Sequence, residues 1–194
     1  MEKAVNVERS GLSRPASRSD RVDAARRNRK ITTDEFAMIT ALKLLISVTI
    51  PLAVGGISGI ASARGVRDWY STLATPPFNP PSWVFAPVWT ALYVAMGVAA
   101  FLVWQKGWSD ETVRVALACF VVQLVLNGLW SVLFFGLQSP GWALVDIVLL
   151  WLSIALAVVL FWRVLPAAGV IMLPYLAWVS FAAVLNGSIW VLNR

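Results

Sequence analysis

Apolar residues in this chain come in long unbroken runs, neither alternating with polar ones nor confined to amphipathic stripes. No charged residue lies between Lys43 and Arg64, and further uncharged runs cover 69–105, 115–145, 147–162 and 164–193. A bilayer core needs roughly 20 apolar residues per helix. A membrane-spanning barrel would require strict alternation, which these runs lack. The pattern predicts five transmembrane helices, over about 36–63, 84–104, 111–135, 141–162 and 167–192. The fold class is therefore an all-α membrane protein, a five-transmembrane-helix bundle. Thr33 followed by Asp34 and Glu35 suits the start of the first helix. Connections after the second, third and fourth helices are short, which makes neighbours antiparallel. The connection between helices 1 and 2, residues 62–83, is long and holds Pro76, Pro77, Pro80 and Pro81. Those rings favour extended or turn geometry and leave no N–H unsatisfied at an interface. Pro87 falls in the first turn of helix 2, where a missing donor costs little. In helix 1, Gly55, Gly59 and Ala63 stand four apart, so that face is expected to meet another helix closely.

Composition agrees: 59% of the residues are hydrophobic and 13% charged, against about 25% charged in a soluble domain. The sequence divides into a flexible basic tail, 1–33, and a transmembrane domain, 34–194. The net charge of +6 does not mark a nucleic-acid binder, because half of it sits in residues 1–35 and the rest flanks helices. Thirteen basic residues, counting the tail with Lys43, Lys106, Arg114 and Arg163, fall on one side of the predicted bundle. Arg64, Arg67 and Arg194 fall on the other. The positive-inside rule then places the N-terminus in the cytoplasm, with a bacterial inner membrane favoured and membrane lipid as a partner. The tail is drawn to anionic lipid. Histidine is absent and Cys119 is the single cysteine. No metal site or catalytic triad is expected, and no cofactor is required.

Polar residues inside the spans carry the candidate chemistry, since in hydrocarbon they normally face the bundle interior. Gln123, Asn127 and Trp130 share one face of helix 3. Asp146 lies about a turn into helix 4. Trp89, Tyr93 and Gly97 stack at spacing four on helix 2, and Tyr175, Trp178, Ala182, Asn186 and Asn193 fall near one stripe of helix 5. Together they suit an aromatic cavity with a few hydrogen-bonding groups, fitted to a flat apolar ligand with polar edges. Interhelical hydrogen bonding alone is an equal explanation for Gln123 and Asn127, and a structural role an equal one for Asp146. Trp104, Trp108, Trp142, Trp162 and Trp190 lie near helix ends, where an interfacial belt explains them better.

The stretch WYSTLATPPFNPPSWVFAPVWTALYVAMG, with QLVLNGLWSVLFF, GWALVDIVLLW and PYLAWVSFAAVLNGSIWVLN after it, resembles the tryptophan-rich sensory protein and translocator protein (peripheral-type benzodiazepine receptor) family. The resemblance covers about 46–193. It implies a five-helix bundle, often a homodimer, with a pocket under the long first loop that binds porphyrins and other flat apolar ligands. Carried over by position, the pocket would use Tyr70 and Pro76 from the loop, Trp89 and Tyr93 from helix 2, and Gln123, Asn127 and Trp130 from helix 3. Asp146 from helix 4 and Trp178 from helix 5 would complete it. Thr75 and Phe78 depart from the Lys and Trp of the loop pattern. Gly187 and Val191 stand where the animal cholesterol motif has Tyr and Arg, which argues against sterol recognition there.

Three functions follow as expectations. The first is a membrane receptor or sensor for tetrapyrroles such as protoporphyrin IX, regulating porphyrin metabolism or a stress response. The alternative is a light-dependent porphyrin-degrading enzyme, with Trp89 and Trp178 as the reacting indoles. The third, a porphyrin or lipid transporter, lacks the paired intramembrane charges and inverted repeat that often mark secondary transport.

Overall fold

A computed structural model describes the backbone of residues 18–194 and the side chains of Arg18 and residues 33–194. Residues 1–17, half of the expected tail, lie outside the described residues. Five helices follow: α1 (Arg18–Arg64), α2 (Phe85–Trp104), α3 (Glu111–Ser131), α4 (Pro140–Val164) and α5 (Pro166–Leu192). Each contains a segment long and apolar enough to span a membrane. Twenty-five residues, as in α4, rise about 37 Å at 1.5 Å each, more than the hydrocarbon thickness. The outward faces match a lipid solvent, with Leu45, Ile57, Ile60, Val125 and Leu149 all exposed.

The helix ends follow local chemistry. Asp110 caps α3 by accepting from the Thr112 amide at 2.8 Å. Pro140 and Pro166 open α4 and α5 in the first turn. Gly107 takes a positive φ of 110° in the turn between α2 and α3, a conformation that costs glycine little. Helix α1 starts earlier than expected. From Arg18 to Ile50 the chain has neither proline nor glycine, so nothing stops the helix at Thr33, which lies within it. Residues 18–39 form a unit described by itself, in which Phe36, Met38 and Ile39 are exposed.

Residues 40–194 form the bundle. Helix α4 packs between α3 and α5, and α2 packs on α5 and α3. The core between them holds Met96, Phe120, Ile154, Phe161, Met172 and Val179, with Phe120 and Phe161 stacked at 5.8 Å. The α1 segment lies on this body through small residues, and Ser47, Pro51, Ser58, Ser62 and Gly65 are buried. Glycines opposite admit it: a Cβ on Gly97 would come within 2.6 Å of the Val48 Cα, and one on Gly128 within 3.5 Å of Val54 Cγ1. The expected stripe is therefore corrected. Gly59 and Ala63 are exposed, because the packed face is rotated towards the serines, and only Gly55 of that trio makes a close approach.

The long connection is more helical than expected. Gly65–Trp69 is a π-turn, Tyr70–Thr72 a 3-10 turn, and Ser82–Val84 another. Only 73–81 is non-helical. A second π-turn, Val132–Gly136, ends α3. The two π-turns meet, since a Cβ on Gly65 would collide with the Phe135 carbonyl.

Candidate functional site

Beside the π-turns, α1, α2, α3 and α5 enclose a cavity of about 500 Å³, within the range of small-molecule sites. Its walls are aromatic. Trp89 stacks on Tyr93 at 5.5 Å and 27° and meets Tyr175 edge-on at 6.3 Å. Also in the lining, Trp130 stacks on Phe134 at 5.2 Å and 25°. Trp178 lies between Phe85 and Phe181, 6.1 and 5.4 Å away. The π-turn explains how Trp130 meets two successive phenylalanines. Widening the helix keeps Phe134 and Phe135 both beside its ring, with Phe135 edge-on at 86°. Tyr70 packs on the same pair from the loop.

A buried hydrogen-bond chain fixes the base of this wall. The Tyr93 hydroxyl donates to Asn127 Oδ1 at 2.6 Å. Asn127 Nδ2 donates to the Tyr175 hydroxyl at 3.1 Å, which donates to Gln123 Oε1 at 2.8 Å. Gln123 Nε2 reaches Met96 Sδ at 3.9 Å. Each amide is thus matched in a buried setting, where an unmatched one would be costly. A second pair orients Trp130: its Nε1 donates to Asn186 Oδ1 at 2.9 Å, and Asn186 Nδ2 donates to the Pro140 carbonyl at 2.8 Å. Two groups of the cavity lining differ. Ser62 Oγ and Trp178 Nε1 are buried without a partner among the described residues.

The residues singled out from sequence divide accordingly. Tyr70, Trp89, Tyr93, Asn127, Trp130 and Trp178 line the cavity. Gln123 lies one step behind, tied to it through Tyr175. Pro76 is buried in the loop, accepting from the Asn79 amide at 3.0 Å, and stands outside the lining. Asp146 is buried on α4, also outside the lining, and its Oδ2 has no partner among the described residues. No cluster of metal-ligating side chains occurs among the described residues.

A family model described as the TspO/MBR family matches residues 47–191. This chain belongs to the TspO/MBR family. Among its relatives is the tryptophan-rich protein TspO of Chlorobaculum tepidum, 45% identical over 152 residues, which cover 78% of this chain and 96% of that protein. The translocator protein of Ovis aries is 42% identical over 153 residues, covering 77% and 89%. The tryptophan-rich sensory protein of Cereibacter sphaeroides is 39% identical over 126 residues, covering 65% and 77%. With five helices among the described residues long and apolar enough to cross a membrane, and with these relatives, the TspO/MBR chain is an integral multi-pass membrane protein with a receptor-like role.

Sequence reasoning missed several cavity residues of this TspO/MBR protein. In sequence, Phe85, Phe134, Phe135 and Phe181 are not told apart from other apolar positions of the spans, nor Ser58 and Ser62 from other small residues of helix 1. The π-turns have no signature in sequence. Spacing did indicate Asn186, four after Ala182 on the same stripe.

Proposed function

We propose that the cavity binds a flat, mostly apolar molecule with hydrogen-bond acceptors at its edge, a tetrapyrrole such as protoporphyrin IX, and that this TspO/MBR protein is a receptor or sensor for it. One observation carries the reading: the aromatic-lined cavity of about 500 Å³ also holds two buried donors, Ser62 Oγ–H and Trp178 Nε1–H, without a partner among the described residues. Aromatic faces favour stacking on a planar π-system, and unmatched donors favour a ligand carbonyl or carboxylate. A role in porphyrin metabolism or stress response belongs to the same proposal. Titrating the detergent-purified protein with protoporphyrin IX, while following tryptophan emission, tests it. Saturable quenching that weakens in Trp89→Ala and Trp178→Ala is expected, and linear, unsaturable quenching refutes it.

A second reading is light-dependent degradation of the bound tetrapyrrole. It is favoured by the position of two oxidisable indoles, Trp89 and Trp178, on the cavity wall. Bleaching of protoporphyrin IX in light should then outpace a control with free tryptophan and stay absent in the dark. Equal bleaching leaves binding alone.

A further inference from the structure

The cavity residues differ in their exposure to the outside. Those with an exposed surface are Gly56, Gly59, Val66, Ser82, Ala86 and Thr90, all on α1, its π-turn or the segment that begins α2. Cavity residues contributed by α3 and α5 are buried or half-buried. A Cβ placed on Gly56 or Gly59 would meet nothing within 4 Å, so the gap beside α1 is open space and not tight glycine packing. Both glycines belong to the α1 span, and Ala86 and Thr90 to the α2 span. At the rim, the Thr90 hydroxyl is satisfied by the Ala86 carbonyl at 2.8 Å, as lipid-facing backbone and side chains require.

We propose that ligands reach the cavity sideways from the bilayer, through a port between α1 and the start of α2 whose width Gly56 and Gly59 set. This proposal rests on the cavity being a ligand site. The competing entrance, under the 73–81 loop, is held shut by specific bonds. Asn193 brackets Ala74, accepting from its amide and donating to its carbonyl, both at 2.9 Å. Its Nδ2 also donates to the Ile189 carbonyl at 2.8 Å, which fixes the clamp to α5. The Tyr70 hydroxyl donates to Asn79 Oδ1 at 3.0 Å, and Phe78 rests edge-on against Phe181 at 6.3 Å. Lifting the loop breaks these contacts, whereas the port already lies open. A flat apolar molecule is also concentrated in hydrocarbon, where the port faces.

The test uses the full chain in phosphatidylcholine vesicles, with protoporphyrin IX supplied from donor vesicles and tryptophan quenching followed by stopped flow. Gly56→Leu and Gly59→Leu add bulk where there is space, so both fold. Association and dissociation should both slow at least fivefold. Asn193→Ala should leave both rates within twofold. Wild-type rates in the glycine variants, or tenfold faster exchange in Asn193→Ala alone, overturn the port in favour of the loop. If the wild type shows no saturable quenching, the tetrapyrrole reading fails and the port is judged without it. In a Cys119→Ser background, Ser58→Cys places a thiol at a buried position in the cavity lining. A membrane-soluble maleimide should label it at least fivefold more slowly when Gly59→Leu is added. Equal labelling rates refute the port.

Discussion

The two sides of the cavity are built differently. On the α3–α5 side, large side chains are packed and, Trp178 Nε1 apart, their polar atoms are matched, as in the chain from Tyr93 of α2 through Asn127 and Tyr175 to Gln123. On the α1 side the wall is glycine and serine, with Ser62 Oγ unmatched and Gly56 and Gly59 facing open space. The difference separates two tasks that a membrane receptor must combine. Dense, satisfied packing keeps the helices in register, while a wall nearly free of side chains leaves room and access.

Crowding tests this contrast most severely. Gly55 lies on the packed side of α1, where an added Cβ would fall on the Tyr93 ring. Gly55→Leu should cost about 2–3 kcal/mol by overpacking and disturb the Tyr93–Asn127 bond, visible as a lower unfolding midpoint in detergent. If Gly59→Leu, four residues on, is destabilised equally, the contrast between the faces is wrong. Next comes Tyr175→Phe, which leaves Asn127 Nδ2 and Gln123 Oε1 without their partner. A loss of about 2 kcal/mol is expected, read by the same unfolding assay. Stability unchanged within experimental scatter would mean that the chain contributes little to holding the closed side.

Trp178→Phe keeps an aromatic ring and removes the unmatched donor together with one ring of the indole. Stability should fall by about 1 kcal/mol from lost packing, while protoporphyrin IX affinity falls about fivefold to tenfold, or about 1 kcal/mol, in the quenching titration. A stability loss without an affinity change would make that N–H structural. The smallest effect belongs to Gly59→Ala. With no neighbour to meet, it should stabilise α1 by about 0.5 kcal/mol through helix propensity, measurable as a slight rise in unfolding temperature.

Much of this architecture is readable from the chain. Unbroken apolar runs require helices in lipid, so α2 to α5 fall within a few residues of expectation. Trp89, Tyr93, Asn127, Trp130 and Trp178 stand out because polar and indole groups deep in a span need an interior to face. What sequence leaves open has physical causes. The start of α1 depends on a stop signal that is missing, and helix propensity carries the helix back to Arg18. Glycine spacing in α1 does not tell packing from opening, because Gly55 and Gly59 are the same residue and differ only in what stands opposite. Pro76 and Asp146 are buried away from the cavity, and neither residue type nor depth distinguishes that from a place in its lining. The paired phenylalanines at 134 and 135 sit on a π-turn that meets Gly65 across the fold, a tertiary contact that local sequence does not encode.

The glycine wall also has a thermodynamic consequence. A surface of Gly56 and Gly59 has no rotamers to freeze when a ligand settles on it, and side-chain ordering is a recurring cost of association. Opposite it, the Trp130 indole is already fixed by Asn186. Binding should therefore carry a small conformational-entropy penalty and show mainly the negative heat-capacity change of apolar burial. The gain comes with intolerance of shape: a backbone wall cannot repack around a bulkier guest as a wall of flexible side chains can, so selectivity for thin molecules follows from the residue that has least chemistry of its own.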